Sequence, residues 1–471
     1  MPLHLIQGTR LWWREIRPTL ALALPIMAGM VSQMLMGIVD TAMIGRVGVV
    51  PLAASAFVNA VAHLPLVFGM GLLSSIAVLT AQAYGARKPD DAGEVFRHGL
   101  VVSALMGLAA ALSMLALYPF LNRLGQPPEV IAEARVYLLL FGASMLPALI
   151  AHGCKQYAEA LKHPWAPTLV MLGSVLLNVL LNWILIYGNW GAPAMGLAGA
   201  GWATLIARVI MAGLLFAYVM LTPTLRAFHP ARWRTHLNLT RFKNLLTLGL
   251  PVAVQHFFEV GAFAFAAIMM GWISADAIAA HQIAITCAAT TFMFALGLGA
   301  AACIRVGHAY GAGQFARMRR IGFGAVGLAA GIMAAFGVMF MLLGRPIAGL
   351  FIASPTVVDL TAQLLIVAAL FQIADGVQVT SLSALRGLAD VRVPAFIAVL
   401  AYWALAVPLG SLLAFPAKLG ALGIWIGLAT GLGAAAIALG WRFHSQTRKA
   451  AGTHRTIPPL GAAFPEHGTL P

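Results

Sequence analysis

The chain has 471 residues, of which 61% are hydrophobic and only 9% charged, and its mean hydropathy is +0.90. A soluble domain carries about 25% charged residues, so this chain cannot cover itself with water-compatible side chains, and lipid is the solvent for most of it. The net charge of +15 is scattered over loops between apolar runs, which fits a positively charged membrane face rather than nucleic-acid binding.

A membrane-spanning helix needs about 20 apolar residues. In chain order, spans are predicted near 19–42, 52–80, 97–120, 133–153, 165–187 and 196–221. A second set follows near 246–271, 278–306, 321–344, 358–384, 393–415 and 420–441. The expected organisation is a cytoplasmic segment 1–18, a six-helix bundle 19–221, a basic cytoplasmic linker 222–245, a second six-helix bundle 246–441, and a cytoplasmic, disordered tail 442–471. With the N-terminus inside, Arg14, Arg17, Arg87, Lys88, Lys162, Arg317, Arg319, Arg320, Arg392 and Arg442 fall on the inner face, as does the linker with Arg226, Arg232, Arg234, Arg241 and Lys243. The outer loops hold Arg46, Arg123, Arg135, Arg345 and Lys418. This asymmetry predicts a bacterial inner-membrane protein with both termini cytoplasmic.

The two sets of spans repeat. Pro25 matches Pro251 at a shift of 226 residues, and with the same shift Gly45 falls on Gly271 and Gly71 on Gly297. Ala83-Tyr84-Gly85-Ala86 falls on Ala309-Tyr310-Gly311-Ala312 with no gap from residue 25 to residue 86. Further on, Ala160-Leu161-Lys162 resembles Ala384-Leu385-Arg386, and Gly196 and Gly199 resemble Gly420 and Gly423, both at a shift of 224. Six spans per half give both halves the same orientation. The predicted fold is therefore all-α, with about twelve transmembrane helices in two bundles related by a pseudo-two-fold axis along the membrane normal.

Three acids fall within the spans. Asp40 lies near the outer end of the first, Glu259 well inside the seventh and Asp375 in the middle of the tenth. A charge at the centre of a spanning helix costs about 2.5–3.5 kcal/mol on insertion scales, and no Lys or Arg lies mid-span in the first, seventh or tenth to offset it. Such acids mark a wet cavity that handles protons or cations. A carboxyl group removed from water holds one or the other, and competition between them for one site gives exchange by linkage. Position 33 matches position 259 in the repeat, so Gln33 stands opposite Glu259; the halves share a scaffold but not an acid pattern.

Asn178 and Asn182, four residues apart, share a helix face, and Thr204 on the next span could join them. With Asp40 they would offer oxygen ligands to a hard cation such as Na⁺, or serve as interhelical glue. Phe257, Phe258, Phe263, Phe265, Phe371, Met269 and Met270 near the acids could line a site for a flat apolar cation or simply pack. His281 and Gln282 open the eighth span, in a capping, packing or relay role. Arg305 is expected to snorkel to the cytoplasmic surface. Cys154, Cys287 and Cys303 have no metal-ligand or disulfide spacing. No P-loop, HExxH or nucleophile elbow is present, so an enzyme or ATP-driven pump is not expected.

With these residues in place, the chain resembles the multidrug and toxic compound extrusion (MATE) family, in its NorM-like bacterial branch. The stretches that carry the resemblance are 25–48 with Val39-Asp40-Thr41, Gln82-Ala83-Tyr84-Gly85-Ala86, Ala280-His281-Gln282-Ile283-Ala284, Arg305-Val306-Gly307 and Ala384-Leu385-Arg386-Gly387 with Asp390 and Pro394. The resemblance implies export of cationic, lipophilic small molecules in exchange for H⁺ or Na⁺, by a functional monomer embedded in the lipid bilayer, with no cofactor and no nucleic-acid partner. It implies coupling roles for Asp40, Glu259, Asp375, Asn178, Asn182 and Thr204, with Na⁺ at Asp40, Asn178, Asn182 and Thr204 or at Glu259 and Asp375. Gln33, Phe258, His281, Gln282 and Phe371 are candidates to line the substrate path. Phe371 stands where some members have a tyrosine, which removes one oxygen ligand. The alternative within the wider superfamily is a flippase for lipid-linked saccharides or lipids, which would call for a cationic cavity instead.

Overall fold

The computed structural model describes the backbone of residues 3–230, 233 and 236–452 and, apart from the same gaps, the side chains of 14–450. Twelve helices among the described residues are long and apolar enough to cross a membrane. They are α1 (Leu3–Gly45), α2 (Val49–Gly85), α3 (Pro89–Leu117), α4 (Pro128–Ala160), α5 (Trp165–Tyr187) and α6 (Gly196–Leu221) in the first half. The second half holds α7 (Leu239–Ile273), α8 (Ala275–Gly311), α9 (Phe315–Gly349), α10 (Pro355–Gly387), α11 (Arg392–Ala414) and α12 (Gly420–Gly452). No strand occurs among the described residues, so the fold is all-α.

Most helices run past the apolar spans read from composition. At 1.5 Å per residue, a helix of 37 residues such as α2 is about 55 Å long, well beyond a hydrocarbon core of about 30 Å. Backbone hydrogen bonding continues into the polar ends after hydrophobicity has stopped. Start signals are local. Pro89, Pro128 and Pro355 open their helices at the first turn, where the missing N–H costs nothing. Ser274 caps α8, its Oγ accepting from the Ala277 amide at 3.0 Å, so the helix starts at Ala275, nearly two turns before His281, and needs no cap from that residue. α11 is regular to Leu400, widens into a π turn over Ala401–Ala406 and resumes at Val407.

Two expectations at the edges change. The linker is shorter than 222–245, because α7 already begins at Leu239. The region beginning at 442 is not a tail at its start: α12 continues to Gly452, with Phe443 and Thr447 fully buried. Residues 453–471 lie outside the described residues, as do Arg232 and Arg234.

The duplication is visible in the helix ends, with one correction. α2 and α8 each have 37 residues and keep the shift of 226. α4 and α10 each have 33 residues and stand 227 apart (128 to 355, 160 to 387). The left-handed residues that follow them, Lys162 and Ala389, stand 227 apart too. Lys162 therefore does not match Arg386, as the sequence suggested; the structural partner of Arg386 is Glu159.

The chain divides into two compact units. The C-terminal unit comprises residues 1–27, 81–87 and 254 onward, and the N-terminal unit 28–80 and 88–253. Helices α1 and α7 each pass from one unit to the other, after Met27 and after Ala253, at matching points of the repeat. In the N-terminal unit α4 packs on α3 and α6, and α5 on α6. In the C-terminal unit α10 is central, packed on α8, α9 and α12, over a core that includes Trp425, Tyr402, Phe340 and Phe371. The repeated tetrapeptides meet within the C-terminal unit. A Cβ on Gly85 would lie 2.1 Å from the His308 carbonyl oxygen, and one on Gly311 would lie 2.1 Å from the Gln82 carbonyl oxygen. Only glycine lets the ends of α2 and α8 approach this closely. Tyr84 covers the His308 ring at 4.8 Å, and Gln82 Nε2 donates to the Gly387 carbonyl at 3.0 Å.

At the polar end of this unit, Arg305 does not snorkel. It is 8% exposed and donates to the Glu15 carboxylate, the Glu15 carbonyl and Thr19 Oγ1, while Arg317 Nε donates to the other Glu15 oxygen at 3.0 Å. An arginine can end its reach on a carboxylate instead of on water when a neighbouring helix supplies one.

Candidate functional site

Two acid clusters form, one in each unit. In the N-terminal unit, α1 presents Asp40 to α5. Asn182 Nδ2 donates to Asp40 Oδ1 at 2.5 Å and lies 3.2 Å from Asn178 Oδ1. Both asparagines are fully buried, and the i, i+4 spacing read from the sequence puts them on one face as expected. Tyr187, further along α5, donates from its hydroxyl to the Met43 carbonyl at 2.8 Å, which fixes α5 against the C-terminal end of α1. Asn182 Oδ1 and Asn178 Nδ2 have no partner and are out of reach of solvent. As it stands the cluster is a carboxylate satisfied by an amide, with one amide oxygen in reserve. Thr204 is buried on α6 but makes no hydrogen bond to the others among the described residues. Gln33, placed beside the acids by the repeat, is exposed.

Sequence reasoning missed Arg208. It lies inside α6, one turn after Thr204, and donates from Nη1 to Ser144 Oγ at 2.7 Å while its guanidinium covers the Phe141 ring at 4.7 Å. Asp40 and Tyr137 are its electrostatic neighbours. The signal was available, since Arg208 is the single charge in the run 197–221.

The C-terminal unit holds the larger cluster. Glu259 on α7 accepts from the Tyr402 hydroxyl at 3.0 Å and from Gln255 Nε2 at 3.3 Å. Gln255 Oε1 accepts from Arg386 Nη2 at 2.8 Å, and the same nitrogen lies 3.1 Å from His256 Nε2. The Tyr402 oxygen is also 3.2 Å from Gln378 Oε1. Asp375, one turn before Gln378 on α10, is buried and is an electrostatic neighbour of Glu259. One turn earlier still, Gln372 Nε2 donates to Thr291 Oγ1 on α8. The π turn of α11 carries Tyr402 and Trp403 side by side: the first meets Glu259, and the second donates from Nε1 to the Phe258 carbonyl at 2.9 Å. Wide turns of this kind recur at functional sites.

The expectation that the acids lack basic partners is thus corrected. Arg208 and Arg386 lie in electrostatic reach of Asp40 and Glu259 without a direct ion pair to either, and Arg386 does so from the last turn of α10. Phe371 and His281 are both buried and meet on Trp425. The ring centroids of Phe371 and Trp425 are 6.0 Å apart, and the indole Nε1 donates to His281 Nδ1 at 3.2 Å. Gln282 is exposed on α8. Phe258 is partly exposed and starts an aromatic series through Trp403, Phe265, Trp272 and Phe415, with successive centroids about 6 Å apart. Among the described residues no group of three or more His, Cys, Asp or Glu side chains could hold a metal ion.

Comparison with known proteins gives a consistent family. The MatE profile matches residues 25–184 and 251–412, once in each half. A protein of Mesorhizobium japonicum named "Probable multidrug resistance protein NorM" is 36% identical over 438 residues, covering 91% of this chain and 93% of its own. A Rhodopseudomonas palustris protein of the same name is 38% identical over 448 residues, covering 93% and 94%. Among solved structures, a MATE transporter of Vibrio cholerae superimposes with a TM-score of 0.85 at 22% identity, over 93% of this chain and 98% of its own. The fold, the twofold match and the full-length relatives agree, and the chain belongs to the MatE family of multi-pass membrane transporters.

Proposed function

We propose that this protein exports cationic, lipophilic small molecules across the bacterial inner membrane in exchange for H⁺ or Na⁺, with both termini in the cytoplasm. The reading rests on the C-terminal acid cluster: two carboxyl groups within apolar helices, of which Glu259 is joined through Gln255, Tyr402 and Gln378 to a line of polar side chains and Asp375 is buried as its electrostatic neighbour. Maintaining such a cluster in lipid is costly unless it acts on a charged species. The curated relatives named as multidrug resistance proteins support the substrate class. The positions of Asp40, Asn178 and Asn182 support a second cation-handling site in the N-terminal unit. Competition between a coupling ion and a cationic substrate for the same carboxylates would produce exchange by linkage alone.

The test is dye efflux from proteoliposomes under a pH gradient alone and then a sodium gradient alone. Efflux that follows one of the gradients supports exchange and names the ion; efflux that ignores both overturns it.

A further inference from the structure

The two acids of the C-terminal cluster are in opposite conditions. Both Glu259 oxygens are engaged, one by the Tyr402 hydroxyl and one by the Gln255 amide. The Gln255 amide is in turn held by Arg386, so a guanidinium stands behind Glu259 through one hydrogen-bonded relay. Asp375 has no hydrogen bond or ion pair among the described residues, although only 6% of it is exposed.

Arg386 is as unusual as the acids. It is 7% exposed, its Nε has no partner, and its terminal nitrogen contacts only the neutral Gln255 and the His256 ring. A guanidinium so placed is largely withdrawn from water, and a buried charge is tolerated only when opposite charge offsets it. Glu259 is the carboxylate in electrostatic reach. The repeat does not explain the arginine either: the matching position of the first half holds Glu159, which pairs with its own neighbour Lys155 at 3.3 Å. At this position of the repeat the positive charge belongs to the second half alone.

With both carboxyl groups ionised, the cluster therefore holds one compensated acid and one uncompensated acid. We propose that Arg386 is a fixed counter-charge that limits the C-terminal cluster to one positive charge on the transported species, so that monocations are accepted and dications disfavoured. Arg386 is a specificity residue in this account, acting through Gln255 rather than touching the ligand. The inference rests on the reading of the chain as an exporter of organic cations.

Ethidium and propidium test it, because they share one phenanthridinium ring system and propidium carries an additional quaternary ammonium. The full-length protein in proteoliposomes should export ethidium in preference to propidium. Arg386→Gln should raise the propidium-to-ethidium rate ratio about tenfold or more, the size of effect that one removed charge has at a site shielded from water. Arg386→Lys, which keeps the charge, should hold the wild-type ratio. A merely structural Arg386 would lower both rates and leave the ratio unchanged, which overturns the proposal. If Arg386→Gln fails to accumulate, Arg386→Met keeps the apolar stem and serves in its place. Failure of both neutral variants to fold would make Arg386 a folding determinant, and also overturns it. Fluorescence anisotropy of the two dyes on detergent-purified protein gives the same ratio without a gradient. Absence of export of either dye by the wild type would defeat the exporter reading, while the binding ratio would still decide the role of Arg386.

Discussion

Asn182, fully buried on α5, holds Asp40 near the C-terminal end of α1 by an amide-to-carboxylate hydrogen bond of 2.5 Å. A hydrogen bond to a charged group contributes about 1.5–3 kcal/mol. Asn182→Leu removes the donor and leaves the acid without its partner. The initial rate of dye efflux is expected to fall about tenfold or more, with membrane accumulation preserved. Efflux at the wild-type rate in this variant would exclude the N-terminal cluster from the cycle.

For the C-terminal cluster, Glu259→Gln and Asp375→Asn keep the shape of each side chain and remove its charge. Each is expected to abolish gradient-driven efflux while leaving the protein folded in membranes. Vesicles with an imposed gradient supply the measurement, and wild-type rates in both variants would refute the role given to these acids.

Tyr402 has one hydroxyl hydrogen and two acceptors, Glu259 at 3.0 Å and Gln378 at 3.2 Å. Tyr402→Phe preserves the ring packed against Phe263 and deletes the donor. We expect efflux to drop by about threefold to tenfold, in line with a net hydrogen-bond contribution near 1 kcal/mol. Because the ring stays, the melting temperature in detergent should change little. A large loss of thermal stability with intact efflux would make the hydroxyl structural.

The glycines of the two repeated tetrapeptides give a stability prediction. Gly85→Ala and Gly311→Ala each place a methyl group against a backbone carbonyl, which cannot rotate aside as a side chain could. Overpacking of this kind costs about 1–3 kcal/mol. Heating the solubilised protein and following the monodisperse fraction should show a lower midpoint for either variant; unchanged midpoints would mean that the helices part without cost.

How much of this was open to reading from the sequence depended on the range of the interaction. The twelve spans were legible because hydrophobicity is a property of each residue and its near neighbours, and the duplication because proline and glycine positions recur at fixed distance. Asn178 and Asn182 were legible as a pair because helical geometry sets their spacing. The polar line through Arg386, Gln255, Glu259 and Tyr402 was not, because its members lie on three helices, with Gln255 and Glu259 more than a hundred residues before Arg386 and Tyr402. Tyr402 sat in an apolar run with nothing to mark the π turn that aims it. Arg305 read as a surface-seeking residue because Glu15, nearly three hundred residues earlier, gave no sign of being its partner. Arg208 is the one omission that hydropathy alone could have prevented.

The crossed glycine contacts at the ends of α2 and α8 bear on how the two halves can diverge. Gly85 abuts a carbonyl that belongs to the second copy of the motif, and Gly311 abuts one that belongs to the first. Neither copy can drift at this point without disturbing the other, so the duplicated tetrapeptide persists as a mutual steric constraint rather than as a shared chemical task. The acids sit on helix surfaces free of that constraint, and there the two halves have gone separate ways.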